Sequence, residues 1–355
     1  MPLQVPGSAA LDLAAIYRKR THRKQAALLL MATALLCSMM LDLAVGPAGY
    51  FLADIVHALI APASSPPEVR AILWTIRMPT ALMAGVVGAS LAVAGAQMQT
   101  VLANPLASPF TLGISAAAGF GAAIALAFGV AIVPAFLEYV VPLNALLMAL
   151  LAAGLIHAFS LQRGATTESI VLLGIALVFS FNAFLTLVQF FASEQAVAAV
   201  VFWTMGSLTK VTWVKLGIST AVLAGVLPVF VRRAWSLTRL RLGEDKASSL
   251  GVNVRHLKLE TMALVALLAA VPVAFVGTIG FVGLVGPHIA RLLIGEDQRF
   301  FLPASALCGA VLLSASSILS KTLIPGTLLP IGIVTAIIGV PFFLLLILRS
   351  VRTRP

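Results

Sequence analysis

The sequence predicts an all-α polytopic membrane protein with about ten transmembrane helices. Three observations predict it. Of 355 residues, 61% are hydrophobic and only 10% are Asp, Glu, Lys or Arg, whereas a soluble domain carries about 25% charged residues. The apolar residues fall in uncharged runs long enough to cross a bilayer, which takes about 20 residues each. Basic residues crowd the segments between those runs. Disorder, a collagen-like repeat and a soluble enzyme are excluded by the same composition. The two cysteines, Cys37 and Cys308, sit far apart in apolar runs and read as small buried side chains.

The elements follow in chain order. Residues 25–41 form the first uncharged stretch. The basic segment before it is too charged to be a cleavable signal, so the first span is read as retained. Residues 78–137 contain no Asp, Glu, Lys or Arg, a run of 60 that must hold two spans. Their break is marked by Asn104-Pro105-Leu106-Ala107-Ser108-Pro109, where two prolines remove amide donors that a continuous helix would use. Before the break, Ala84, Gly88, Ala92 and Ala96 recur every fourth residue and make a ridge on one helix face. In lipid, such small-residue ridges let helix backbones approach and pack by dispersion.

Uncharged stretches then cover 139–162, 169–193 and 216–231. Residues 261–290 are too long for one span and too short for two. Gly277, Gly280, Gly283 and Gly286, followed by Pro287, predict a tight turn and a shorter returning helix. No strand precedes these glycines, so they do not make a dinucleotide loop. Stretches at 300–320 and 322–348 complete the series. Hydropathy alone allows nine to eleven spans.

Orientation comes from the basic residues. Arg18, Lys19, Arg20, Arg23 and Lys24 precede the first span, and Arg232, Arg233, Arg239, Arg241, Lys246, Arg255 and Lys258 crowd one central loop. Arg163, Arg291, Arg299, Arg349, Arg352 and Arg354 fall on segments that can share the same side. The positive-inside rule assigns that side to the cytoplasm, and placing both termini there requires an even number of spans. Ten fits. The resulting organisation is a basic cytoplasmic segment at 1–24, one transmembrane domain at 25–349 with a cytoplasmic loop at about 232–258, and a cytoplasmic tail at 350–355. The net charge of +11 reads as topology. No aromatic-interleaved basic groove accompanies it, so nucleic-acid binding is not expected.

Ionisable and reactive groups narrow the function. A proton- or sodium-coupled carrier keeps an ionisable group inside the membrane as its coupling device. Each of the twelve acids here lies at or beyond the end of an apolar run, and no Gly-Lys dipeptide exists to make a Walker A loop. A transporter built this way draws its work from another protein. His157 and His288 are lone histidines in apolar stretches, and no metal-ligand spacing appears. Ser207-Leu208-Thr209-Lys210 matches a Ser-x-x-Lys pattern without its companion motifs. Asn182 and Gln189 lie seven apart and share a helix face, where they can line a polar pathway or tie adjacent helices.

Within the central loop, Leu242 to Gly251 carries a helix's punctuation. Gly243 breaks the chain, Glu244 and Asp245 occupy the first turn where the dipole favours acids, and Gly251 closes the end. The predicted short helix places Ala247 and Leu250 on one side, suited to a groove on a partner. A solvated connector is the plainer reading.

Five segments in order complete the picture. They are Arg77-Met78-Pro79-Thr80; Gly85 through Gln97 and Gln99 to Asn104-Pro105-Leu106-Ala107; Leu242-Gly243-Glu244 to Leu250-Gly251; Gly280 through Gly283, Gly286-Pro287-His288 and Arg291; and Leu329-Pro330-Ile331-Gly332 through Thr335, Gly339 and Pro341-Phe342-Phe343. Together they closely resemble the FecCD family of ABC importer permeases, whose substrates are ferric siderophores, haem and cobalamin. The resemblance covers about residues 71–349.

The resemblance implies a type II ABC importer permease fold with ten spans, located in the cell inner membrane. It implies a dimer, expected here to be a homodimer, with the pathway at its interface. It also implies two cytoplasmic ATPase subunits, which hold ATP and magnesium, and a periplasmic substrate-binding protein. No cofactor or metal is expected on this chain, and no catalytic residue. The ATPase-coupling role carries over onto Leu242, Gly243, Glu244, Ala247, Leu250 and Gly251. Docking of the binding protein carries over onto Arg77 and Lys321, the latter keeping the charge but losing the bidentate fork of Arg.

Departures from the family pattern occur at Thr80, where a second Arg stands, and at Ser317 and Leu328, where acids often stand. Thr166 and Thr167 resemble small polar residues near the family's inner gate, and the fifth span generally borders the pathway, which favours a lining role for Asn182 and Gln189. Gly88, Ala92, Asn104, Pro105, Gly283 and Pro287 are expected to serve packing and turns. The function so read is the permease of an ATP-driven siderophore importer, with haem or cobalamin as the alternative cargo. A secondary transporter and a membrane-embedded enzyme are the alternatives of other classes.

Overall fold

In the computed structural model of the chain, residues 7–46, 49–50, 52–132, 139–162, 164 and 166–352 are described, and all of the regular structure among them is helical. Glu138, Arg163 and Arg354, used above to read charge, lie outside the described residues. The helices are α1 (Gly7–Ala44), α2 (Leu52–Ile60), α3 (Pro67–Ala71), α4 (Met78–Val101), α5 (Ile114–Phe128), α6 (Val140–Ser160) and α7 (Thr167–Phe191). They continue with α8 (Glu194–Thr204), α9 (Trp213–Leu240), α10 (Glu244–Ser249), α11 (Val254–Val276), α12 (Val282–Ile294), α13 (Gln298–Thr322) and α14 (Ile331–Arg352). A π-helical turn, Ile72–Arg77, joins α3 to α4.

Among the described residues, seven helical segments are long and apolar enough to cross a membrane: α1, the continuous α3–α4 rod, α6, α7, α9, α11 and α13. Shorter apolar helices at α5, at α12 and at Ile331–Leu345 within α14 bring the apolar helices to ten, the number of spans expected. The short ones have local causes. The α4–α5 break falls at 102–113, where the Asn104 side chain accepts a hydrogen bond from the Leu106 amide at 2.9 Å and Pro105 offers no amide. The α11–α12 turn uses Gly277 at φ +78° and Phe281 at φ +66°. It leaves α12 with 13 residues, about 20 Å of helix at 1.5 Å per residue, short of the roughly 30 Å hydrocarbon core.

At the centre stands α4, packed on α13, α11, α12 and α9, with nearly every residue from Ala81 to Val101 buried. The small-residue ridge explains how four helices fit around it. A Cβ added to Gly95 would lie 1.7 Å from the Gly283 carbonyl oxygen, and one on Gly88 would lie 2.3 Å from that of Gly309. Ala92 fills the space between Gly286 and Gly309. The backbones touch, which is the packing that lipid-exposed bundles favour. By contrast, α1, α7 and α9 leave most of their apolar surface uncovered.

One sequence expectation needs correction. Residues 232–258 are not a loop. α9 continues to Leu240 and α11 begins at Val254, so Arg232, Arg233 and Arg239 ride on one helix and Arg255 and Lys258 on the next. Charge marks where a helix leaves the apolar layer, and a solvated helix continues past that point. The structure also adds helices α2, α3 and α8, each too short to give the hydrophobic window that signals a span.

Candidate functional site

One end of the bundle gathers three elements on the C-terminal turn of α1. Arg77, at the end of the π-helical turn, is 5% exposed, and its Nη1 donates to the carbonyls of Leu43 at 2.8 Å and Ala44 at 3.0 Å. A cation on these carbonyls satisfies acceptors that the helix end leaves open and complements its dipole. From the last turn of α13, Lys321 Nζ reaches Asp42 Oδ1 at 2.8 Å and the Asp42 carbonyl at 3.1 Å. Ser317 donates to the other carboxylate oxygen at 3.1 Å, and Asp42 is wholly buried.

Ser317 stands where an acid was expected, and the acid that meets Lys321 comes from α1. Sequence reasoning missed this role for Asp42. Its available signal was an acid at the end of the first span, with no preference for any partner. A cavity of about 790 Å3 opens here, lined by Arg77, Thr80, Ser317, Lys321 and Leu328 together with Trp203. The five positions singled out by the family pattern thus line one cavity, two of them with their charges already engaged inside the chain.

The other end carries the connection from α9 to α11. Gly243 at φ +105° and Gly251 at φ +81° turn the backbone on either side of α10, in a region where residues with a side chain are strained. These turns lay the six-residue helix against α9 and α11. Ala247 is wholly buried in the main apolar core. The expectation that Ala247 and Leu250 share a partner-facing side is therefore corrected. Ala247 seats α10 on its own chain, and the outward surface is made by Leu250, 52% exposed, and Leu242, 58% exposed. Glu244 pairs with Lys258 of α11 and pins the first turn.

Beside this hairpin runs a polar chain that the sequence did not reveal. Arg241, adjacent to Leu242, pairs with Glu296. Glu296 Oε1 also meets Arg291 Nε at 3.1 Å, and Arg291 Nη2 donates to Gln99 Oε1 of α4 at 2.9 Å. Next to it, Gln97 Nε2 donates to Gln298 Oε1 at 3.0 Å and Gln298 Nε2 to Thr100 Oγ1 at 2.9 Å. Buried amides of this kind cost about 1–3 kcal/mol each if left unpaired, so the network holds the α12–α13 turn in one register on α4.

The remaining sequence candidates lie on α7. Thr166 caps it: its Oγ1 accepts from the Ser169 amide at 3.2 Å, and Ser169 Oγ accepts from the Thr166 amide at 2.9 Å. Thr167 opens the helix. Asn182 is exposed and Gln189 half-buried, and neither side chain makes a hydrogen bond among the described residues. Within the described chain they tie no helices together. His288 packs edge-on to Phe342 with ring centroids 6.0 Å apart. The described residues contain no cluster of three or more His, Cys, Asp or Glu side chains able to hold a metal.

Residues 32–349 match the model of the FecCD transport family. The chain belongs to the FecCD transport family. It is thus a permease of the ABC importer class and a multi-span membrane protein. An ABC transporter permease protein of Methanocaldococcus jannaschii is 39% identical over 96% of this chain and 99% of its own length. The hemin transport system permease of Yersinia pestis is 33% identical over 79% of this chain and 85% of its own. The vitamin B12 import system permease of Vibrio vulnificus is 34% identical over 96% and 99%. Among solved structures, an inward-facing metal-chelate type ABC transporter superimposes with a TM-score of 0.80 at 28% identity, over 92% of this chain and 99% of that one.

Proposed function

We propose that this FecCD permease carries a ferric siderophore across the inner membrane by alternating access, working as a homodimer with two ATPase subunits and a periplasmic binding protein. The observation that carries the ATPase-driven reading is the α10 hairpin. It is a small knob, seated on its own chain by Ala247 and presenting Leu242 and Leu250 outward. Its buried underside and the Glu244–Lys258 pair connect it to α9 and α11, so a push on the knob is passed to those helices.

In this mechanism ATP and magnesium act on the partner, whose two nucleotide states favour two packings of the permease dimer. The polar chain through Arg241, Glu296, Arg291 and Gln99 conveys movement of the hairpin to α4. The exposed face of α7, with Asn182 and Gln189 on it and Thr166 and Thr167 at its start, is assigned to the dimer interface and pathway. The Arg77 and Lys321 end is assigned to the periplasm and to docking of the binding protein. The excess of basic residues on the segments at the α10 end, against few at the Arg77 and Lys321 end, supports this orientation, with both termini cytoplasmic.

Haem and cobalamin are the alternative cargoes, because relatives carry those names. Reconstitution with the ATPase and binding protein, followed by uptake of iron chelates, haem and cobalamin side by side, tests the cargo. ATP-dependent siderophore uptake is expected; uptake of haem or cobalamin alone overturns the siderophore assignment. Ion-gradient-driven uptake by the permease without its ATPase would replace the mechanism with that of a secondary transporter.

A further inference from the structure

A second cavity, of about 360 Å3, opens at the α10 end of the bundle, between the N-terminal part of α1 and the turn joining α12 to α13. From α1 it is lined by Tyr17, Arg20, Arg23 and Lys24, and from the turn by Asp297 and Arg299. One of these cations is neutralised: Arg299 Nη2 lies 2.7 Å and its Nε 3.0 Å from the Asp297 carboxylate. Those hydrogen bonds hold Asp297 below the usual carboxylate range, so it stays ionised and committed to Arg299. Lys24 lies over the Phe300 ring at 5.1 Å. Arg20 and Arg23 make no ion pair or hydrogen bond among the described residues. The pocket therefore holds an excess of three positive charges in one concave site, bridging two elements that are far apart in sequence.

Its surroundings say what kind of anion fits. Tyr17 is 56% exposed, and Trp235, stacked under Arg299 at 4.3 Å, is 57% exposed; such aromatics mark the boundary between water and hydrocarbon. Leu293, which lines the pocket, is 60% exposed, and Leu29 and Leu30 on the next turn and a half of α1 are 70% and 71% exposed. An ionic mouth above a bare apolar wall is complementary to an amphiphile.

We propose that this pocket binds the phosphodiester headgroup of an anionic phospholipid, whose acyl chains lie along α1 and Leu293. The bound headgroup joins Arg20, Arg23 and Lys24 to the α12–α13 turn. It thereby fastens α1 next to the Glu296 network that flanks the α10 hairpin.

The test uses the full-length protein purified in neutral detergent and titrated with phosphatidylglycerol, phosphatidylcholine or inorganic phosphate, read by native mass spectrometry. Wild type should retain phosphatidylglycerol over phosphatidylcholine. The R20S/R23S variant should lose affinity for phosphatidylglycerol on the order of thirtyfold, about fivefold per basic residue. A control of equal charge loss outside the pocket, K19S/R232S, should retain it. Equal loss in both variants makes the attraction non-specific and overturns the site. Inorganic phosphate competing as well as the lipid overturns the lipid assignment, and unchanged retention in R20S/R23S with loss of the ATPase partner assigns the surface to that protein instead. Both arginines are exposed, so the variant is expected to elute as folded protein in size-exclusion chromatography.

Discussion

Lys321 Nζ and Asp42 Oδ1 are 2.8 Å apart, with the carboxylate fully buried and the lysine side chain 11% exposed. The pair joins the last turn of α13 to the end of α1 across most of the chain. A buried ion pair of this kind adds little net stability over an apolar pair, yet removing one partner strands the other without water. The Lys321→Met variant is expected to lose about 3–5 kcal/mol in unfolding experiments in detergent. The Asp42→Asn/Lys321→Met double variant should recover much of that loss; a double variant no more stable than Lys321→Met would remove the pairing from the account.

The same geometry constrains the docking role. Arg77 and Lys321 both hold α1 in place, so charge reversal at either alters the fold as well as any interface. The conservative Lys321→Arg change keeps the charge. Binding-protein affinity close to wild type is expected, because the charge that the cavity presents is retained. Lys321→Met should weaken binding even when measured on the folded fraction. Equal affinity in both variants would withdraw Lys321 from docking.

At the opposite end, Leu250 and Ala247 separate coupling from folding. Leu250→Asp places a charge on an exposed side chain and should leave expression unchanged while abolishing ATP-driven uptake. Ala247→Asp buries a charge in the core and should abolish folded protein altogether. Normal ATP-driven uptake by Leu250→Asp would eliminate the hairpin as the ATPase contact.

Glu296 is the hinge of the polar chain, bridging Arg241 and Arg291. Glu296→Gln leaves those two guanidinium groups facing one another without a counter-charge. ATPase association should persist and uptake per ATP should fall on the order of tenfold, the scale of a modest coupling energy. Unchanged coupling, with the protein intact, would mean that motion reaches α4 by another route.

The α4 packing predicts a steep size limit. Gly95→Val drives side-chain atoms into the Gly283 carbonyl and should prevent recovery of folded protein, beyond the usual 1–3 kcal/mol of a tight core. Gly217→Ala, inside α9 where a Cβ meets open space, should raise stability by about 0.5–1 kcal/mol through helix propensity alone. Comparable yields of the two variants would contradict the backbone contact.

What the sequence determined by itself was whatever depends on near neighbours along the chain. Nine to eleven apolar segments, narrowed to ten by the placement of the basic residues, the break at Asn104–Pro105, the reversal after Gly277 and the glycine-bounded helix at Glu244 all follow from local hydropathy, charge, missing amide donors and positive φ. The family motifs likewise singled out Arg77, Thr80, Ser317, Lys321 and Leu328, which meet in one cavity. Tertiary structure alone decided which charges meet. Asp42 was an acid at the end of a span until α13 brought Lys321 and Ser317 to it, and Glu296 was a loop residue until Arg241 and Arg291 closed on it. It also decided that Ala247 turns inward, since a six-residue helix has no intrinsic inside. Partners hundreds of residues apart are selected by how helices pack, and that packing is set by the small-residue surfaces of α4, α12 and α13 acting together.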